Sequence, residues 1–335
     1  LKKIVFKTLK LLIPLSIGAY LVWYMFVFIR EQNQEDFWNT IKSMNYSWII
    51  LSWIFGLFSH LIRAHRWKYL LEPIGHMTRF SNRYHATMIG YLVNMVLPRS
   101  GEASRAGVLL KTEQVPFSKA FGTIIVERII DVLMLGLVIL VTILLSIQDF
   151  RVLYNKLLPE REANRFSFNI LYLTLVVLVL LILIFILRRN KTLRAKIWNF
   201  LNELKSGVFS ILKSKNPVSF VLNSILIWVL YIAYFGICFF ALEEASKVSL
   251  QGVLMAFIAG TVGIMLTPGG LGSYPIFVGT VISYYAYPDL AGIQNDALAL
   301  AMVIWLTQTI FIISLGMISL FYISRNFSLK DENNA

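Results

Sequence analysis

Cysteine and charge are both scarce in this 335-residue chain. The single cysteine, Cys238, excludes an intramolecular disulfide framework, and the four histidines show no Cys/His spacing for zinc. Charged residues make up 15%, against roughly 25% in an average soluble domain. No glycine-rich stretch ends in Gly-Lys-Ser/Thr, so no nucleotide loop is present and no cofactor is expected. What the chain does have is apolar sequence: 57% of residues are hydrophobic, and they fall in continuous blocks. That pattern excludes a water-soluble enzyme and a disordered tail. It points to an all-α polytopic membrane protein.

A bilayer core of ~30 Å takes about 20 apolar residues in a helix, because the backbone must satisfy its own hydrogen bonds there. Six blocks fit: Leu9–Ile29, Tyr46–Ile62, Ala120–Ile147, Phe168–Leu187, Val218–Leu242 and Ala297–Ile323. The first is too long for a signal peptide and no small-x-small cleavage site follows it, so it reads as an uncleaved span. Two further apolar pieces are interrupted. Tyr84–Leu97 stops at Pro98, while Leu250–Thr267 meets Pro268-Gly269-Gly270 and resumes as Tyr274–Tyr287. Short apolar segments broken by Gly and Pro are the signature of re-entrant or discontinuous helices.

The net charge of +13 raises the question of nucleic acid, and its distribution answers it. With the N-terminus in the cytoplasm and both broken segments returning to their side of entry, the cytoplasmic pieces hold 23 basic residues and 6 acidic ones. A full crossing at Tyr84–Leu97 would instead place the eight basic residues of Arg188–Lys215 outside, against the positive-inside rule. The basic charge therefore belongs to a membrane surface. Phospholipids are the expected partners, and nucleic acid is not.

The interrupted segments resemble each other. Gly90-Tyr-Leu-Val-Asn-Met-Val-Leu-Pro98 aligns with Gly260-Thr-Val-Gly-Ile-Met-Leu-Thr-Pro268, with Gly, Met and Pro in register. Each follows two spans and precedes one, and the two enter from opposite sides. The organisation expected is a single membrane domain over 1–335 built as an inverted-topology repeat. Repeat one covers 1–147 with a re-entrant part at 84–118; repeat two covers 168–323 with a re-entrant part at 250–287. Between them, residues 188–215 read as a basic amphipathic helix lying on an anionic leaflet.

Four groups of residues are candidates for the chemistry. In Leu97-Pro98-Arg99-Ser100-Gly101-Glu102-Ala103-Ser104-Arg105, proline and glycine break the helix beside two guanidinium groups, which are planar donor forks suited to phosphate. Arg99 and Arg105 would hold a lipid phosphate there, with Glu102 pairing one of them when the site is empty; otherwise the stretch is a basic cytoplasmic loop. Glu127, Arg128 and Asp131 fall within a span, where ionisable groups are costly, and read as a headgroup path, a proton relay or a structural ion pair near the cytoplasmic interface. Pro268, Gly269, Gly270 and Gly272 read as an anion-binding nest or a close packing of helix ends around a ligand, and as a tight turn between half-helices, readings that can hold together. Arg63 and Arg66 share a helical face beside Trp67, as interfacial anchors or as part of the phosphate site.

These same residues carry a family resemblance. Asn94-x-x-Leu97-Pro98-Arg99-x-Gly101-Glu102-x-x-Arg105, Glu127-Arg128-x-x-Asp131 and Pro268-Gly269-Gly270-x-Gly272 resemble the lysylphosphatidylglycerol synthase transmembrane region, also called the flippase-like family. Arg63-x-x-Arg66-Trp67 is similar to its early Arg-Trp motif. The resemblance implies a unit that moves aminoacylated phosphatidylglycerol between leaflets, here without the synthase domain of full-length relatives. Other members are thought to handle phospholipids or polyprenyl-linked sugars. Many relatives have an acidic residue shortly after the glycine cluster, where this chain has Tyr274-Pro275.

The expectation is a non-enzymatic lipid translocase of a bacterial cytoplasmic membrane, with both termini inside, carrying an anionic or aminoacylated phospholipid or a lipid-linked precursor. An intramembrane lipid-modifying enzyme and a non-transporting subunit of a lipid or glycan assembly complex are the alternatives. The topology makes a direct demand. Cysteines introduced by Lys10→Cys and Lys111→Cys should react with an impermeant maleimide from the same face of the membrane; labelling from opposite faces rules out the re-entrant first segment.

Overall fold

Every regular element in the computed structural model is helical. It describes residues 2–32, 34–97, 100–146, 216–290 and 292–332, and no strand occurs among them. The expected span Phe168–Leu187 and the amphipathic segment 188–215 lie outside the described residues, as do Pro98 and Arg99. The principal helices are α1 (Lys2–Gln32), α2 (Gln34–Ser43), α3 (Tyr46–Leu71), α4 (Phe80–Val96) and α5 (Gly101–Glu113). They continue with α6 (Phe117–Leu145), α7 (Pro217–Gly236), α8 (Leu250–Leu266), α9 (Ser273–Ala286) and α10 (Asn295–Glu332). Residues 1–127 and 214–335 make one body; Arg128–Lys213 make another, of which the described part is the remainder of α6.

Four of the described helical stretches are long and apolar enough to cross a membrane: Tyr46–Ile74, Phe117–Leu145, Pro217–Ala241 and Asn295–Asn326. Their outward faces are apolar. Leu133, Leu137, Leu140 and Leu144 are exposed along α6, and Leu222, Ile225, Leu226 and Val229 along α7. These rows recur at helical spacing, which presents a continuous hydrocarbon stripe. In water such stripes would be costly; in lipid they are the solvated surface. The protein is a membrane protein.

The second apolar block reaches further than its composition suggests. Tyr46–Ile62 continues as helix through Arg63, Arg66 and Lys68 to Leu71. Arginine and lysine are good helix formers, so only the change in polarity, and not the helix, ends at Ile62. Asn45 caps the start, its side chain accepting from the Ser47 amide at 3.1 Å. Pro73 and the left-handed Gly75 end the helical stretch.

Both interrupted segments are helical hairpins. In the first, α4 and α5 pack along each other, and their approach is close enough to need glycine on both sides. A Cβ on Gly101 would sit 2.1 Å from the Gly90 carbonyl oxygen, and one on Gly90 would sit 2.5 Å from Arg105 Cγ. Asn94 reaches from the end of α4 to accept the Gly101 amide at 2.7 Å. It thereby satisfies one of the donors that a helix N-terminus leaves open. The Asn94, Gly101 and Arg105 spacing is thus the geometry of one hairpin tip.

The second hairpin joins α8 to α9 through Pro268–Gly270, with left-handed backbone at Gly269, Gly270 and Gly272. Hydroxyl groups tie it shut. Thr267 and Ser273 lie 2.6 Å apart, and the Ser273 hydroxyl donates to the Gly263 carbonyl at 2.7 Å. The Trp305 indole of α10 donates to the Gly269 carbonyl at 2.8 Å. The glycine cluster forms a tight turn, in which the Gly270 amide donates to the Thr267 carbonyl and the Leu271 amide to the Pro268 carbonyl. A Cβ on Gly272 would lie 2.8 Å from Leu21 Cβ and from the Val22 amide nitrogen, so α1 rests directly on this turn. The two tips also meet: a Cβ on Gly269 would lie 4.0 Å from the Met95 methyl group.

This packing makes glycine at 101 a structural requirement. Gly101→Ala should lower stability in detergent by ~2 kcal/mol or more, as overpacking does. Gly107→Ala, on the same helix with nothing within 4 Å of the added atom, should be neutral or slightly stabilising. Thermal unfolding of the two variants checks the contrast.

Candidate functional site

Three arginines from two helices converge on one carboxylate. Glu127 of α6 is 1% exposed, and Arg63, Arg66 and Arg105 are each 3% exposed or less. Arg105 of α5 approaches from the hairpin, with Nη2 at 2.9 Å from Oε2 and Nη1 at 3.4 Å from Oε1. From α3, Arg63 Nη1 lies 3.2 Å and Arg66 Nη2 3.4 Å from Oε1. Arg63 and Arg66 are three apart and so lie on one face of their helix, aimed at the same point.

Aromatic rings hold the guanidinium planes in place. Arg105 Cζ sits 4.2 Å from the Trp67 ring centroid, and the indole donates to the Thr123 hydroxyl at 2.9 Å, which fixes the ring. Arg66 lies over Phe220 at 5.3 Å and donates to the Ser224 hydroxyl at 2.9 Å. Arg63 is flanked by Tyr91 at 5.9 Å and Tyr231 at 5.8 Å. A desolvated cation–π contact contributes roughly 2 kcal/mol, so the rings offset part of the cost of keeping these cations out of water. Five helices, α3 to α7, supply the shell.

The charge state of arginine makes the arrangement chemically specific. A guanidinium remains protonated even when buried, so the site cannot escape its charge by losing a proton. Like charges ~4 Å apart repel by about 4 kcal/mol at an effective dielectric constant of ~20. Glu127 is the anion that the three share. A carboxylate offers two oxygens to them, whereas a phosphate diester or monoester offers further acceptor positions. The Arg105 Nε–H is buried and makes no hydrogen bond among the described residues. The oxyanion the site holds in this structure is the Glu127 carboxylate.

A family model described as the lysylphosphatidylglycerol synthase TM region matches residues 11–316. The chain belongs to this family. Every residue of the arginine–carboxylate centre falls inside the matched region, which also takes in both hairpins. The chain is also similar to the UPF0104 membrane protein MJ1595 of Methanocaldococcus jannaschii, 33% identical over 90 residues. That match covers 26% of this chain and 27% of the relative, so it spans only about a quarter of each. No solved structure matches.

The structure distributes the sequence candidates of this lysylphosphatidylglycerol synthase TM-region protein unevenly. Arg63, Arg66, Arg105 and Glu127 come together. The carboxylate that meets Arg105 is Glu127, not Glu102, because the side chain at 105 turns inward from α5 while Glu102 is half-buried a turn earlier. Asn94 and Gly101 support the site by closing the hairpin. Pro268, Gly269, Gly270 and Gly272 shape the opposite tip. Arg128 and Asp131 are half-buried further along α6, and Arg99 lies outside the described residues. Arg63 and Arg66 are not interfacial anchors: burial of both side chains removes them from any surface.

Sequence reading missed Trp67 as a platform, and it missed Phe220, Ser224 and Tyr231 altogether. Ser224 is 158 residues from its partner Arg66, and no local pattern announces such a pairing. The Arg-Trp pair itself was the available signal for Trp67.

Removing the shared carboxylate tests its role. Glu127→Ala should destabilise the protein by roughly 3–5 kcal/mol, the usual cost of orphaning a buried ionic partner. Glu127→Gln keeps the shape and one acceptor oxygen while losing the charge, and should cost less than the truncation. Chemical unfolding in detergent orders the two; equal, near-zero effects would show that the cluster contributes nothing.

Proposed function

We propose that this protein translocates an anionic lipid between membrane leaflets, with the phosphate bound by Arg63, Arg66 and Arg105. The observation that carries the reading is the convergence of three buried guanidinium groups at the inner side of a helical hairpin. Ionisable groups at such positions in membrane proteins mark substrate and ion pathways. Three guanidinium groups reach Glu127 within 3.4 Å, and gathering that much positive charge out of water is costly.

The hairpins supply the movement. Two interrupted helices with touching tips resemble the inverted repeats of secondary transporters, in which substrate sites lie near the midplane and one repeat rocks against the other. With the N-terminus inside, the basic segments lie on the cytoplasmic leaflet, where anionic lipid is drawn to them. The lipid taken is anionic at its phosphate; an aminoacylated headgroup or a lipid-linked precursor shares that feature.

Reconstitution in liposomes tests the proposal. Fluorescently labelled phosphatidylglycerol should cross at least about tenfold faster with the wild-type protein than with Arg63→Gln/Arg105→Gln, the loss expected when charge-assisted hydrogen bonds are removed. Equal rates in protein-containing and protein-free vesicles overturn it. Loss of a lipid's headgroup without its movement would instead favour an enzyme.

A further inference from the structure

Helices α3 and α7 meet along one antiparallel seam that leads away from the arginine centre. Arg66 bonds to Ser224, the His60 and Tyr231 rings lie 6.4 Å apart, and a Cβ on Gly56 would lie 3.0 Å from Tyr234 Cζ. Each step back along α3 is thus a step forward along α7. On this seam and beside it, polar atoms are buried that make no hydrogen bond among the described residues. They are both ring nitrogens of His60, the Tyr234 hydroxyl, the Trp53 indole nitrogen and the Gln308 amide nitrogen. The last three gather around Phe311 of α10. Its ring stacks on Trp53 at 5.2 Å and meets Tyr234 edge-on at 6.1 Å, and Gln308 stands one turn earlier on the same helix. From Arg63 back to Trp53 the row covers ~15 Å of helix. Native proteins seldom bury so many polar atoms unmatched; internal water completes such sets, and surrounding hydrocarbon cannot.

His60 stands where this row joins the arginine centre. It lies one turn from Arg63 on α3. Tyr91 and Tyr231, whose rings pack on it, are the two that flank the Arg63 guanidinium. The titratable groups facing His60 are therefore Arg63 on its own helix, Tyr91 on α4 and Tyr231 on α7. Glu127 of α6 reaches the same Arg63 guanidinium at 3.2 Å. Phenols are neutral near pH 7, so the charge next to the imidazole is that of Arg63.

That neighbour couples two events. A proton on His60 adds a cation beside Arg63, and like charges repel. An anion held by Arg63 offsets the repulsion and gives an imidazolium an acceptor for a charge-assisted hydrogen bond. Histidine is the side chain whose charge changes near neutral pH, and a neutral imidazole gains the proton on a ring-nitrogen lone pair without any bond breaking in the lipid. We propose that His60 takes up a proton, delivered by water along the α3–α7 seam, when a phosphate occupies the arginine centre, so that proton and anionic lipid are carried together.

The proposal rests on the phosphate site described above, and the experiment separates the two. Purified protein in detergent is titrated with dioctanoyl phosphatidylglycerol, whose phosphodiester stays singly ionised, so that any pH dependence belongs to the protein. Binding should be about tenfold tighter at pH ~5.5 than at pH ~7.5, because a ligand that promotes protonation is promoted by it to the same extent. In weakly buffered solution with an indicator dye, the wild-type protein should take up protons as lipid binds, approaching about one per lipid. His60→Gln keeps hydrogen-bonding capacity without a titratable ring. It should bind the lipid with no proton uptake and with pH-independent affinity, and His60→Phe should do the same. His85→Gln, at a half-buried histidine outside the site, should retain both effects. In a Cys238→Ser background, Tyr234→Cys should react with a charged methanethiosulfonate, which needs an ionised thiol and hence water. Val229→Cys, on the exposed apolar face of α7, should not. Lipid binding without pH dependence or proton uptake overturns the proposal and leaves the phosphate site standing. Uptake that survives His60→Gln does the same, since the proton then goes to another group such as Glu127. An unreactive Tyr234→Cys removes the water route and the proposal with it. Absence of binding at every pH takes down both readings.

Discussion

Three guanidinium groups sharing one carboxylate inside a bundle of apolar helices set the terms for everything around them. Because none of the three can shed its proton, the surrounding chain has to supply an anion, ring faces and hydroxyls at fixed positions. Glu127 does the first; Trp67, Phe220, Tyr91 and Tyr231 do the second; Ser224 does the third. These partners are spread over α3, α4, α6 and α7, so the bundle cannot loosen at one of them without exposing charge to hydrocarbon. The centre is thus a reason for the helices to pack where they do, beyond the van der Waals contacts that bring membrane helices together.

The hairpin of α4 and α5 shows how backbone permits what side chains require. Arg105 reaches Glu127 because α5 lies almost against α4, and that proximity exists because neither Gly90 nor Gly101 carries a Cβ. Asn94 then closes the tip by taking up a helix-terminal amide that lipid could not satisfy. An interrupted helix in a membrane is acceptable only where its loose backbone ends find partners, and here the partner is three residues before the break.

Much of this was legible in the chain itself. Continuous apolar blocks revealed the helical membrane class, and Pro98 and Pro268 with their following glycines marked both turns. Arg105 and Glu127 stood out because charge is rare in such company. Other features depend on distance along the chain. Glu102 is nearer to Arg105 in sequence than Glu127 is, yet the carboxylate that Arg105 meets is Glu127. The end of hydrophobicity at Ile62 suggested a boundary, and charges beyond it looked like surface residues; the arrival of α4, α6 and α7 against α3 turns Arg63 and Arg66 into interior ones. His60 has no sequence pattern, since its meaning lies in Tyr91 and Tyr231 on two other helices.

The contact of Gly272 with the backbone of α1 has a mechanical corollary. With no atom to spare between Leu21, Val22 and the turn, the amino-terminal helix works as a splint laid across the second hairpin. Any tilt of that hairpin must carry the splint along or slide it lengthwise. A probe attached to the exposed Trp23 position would therefore register a rearrangement occurring at the glycine turn one residue-layer away.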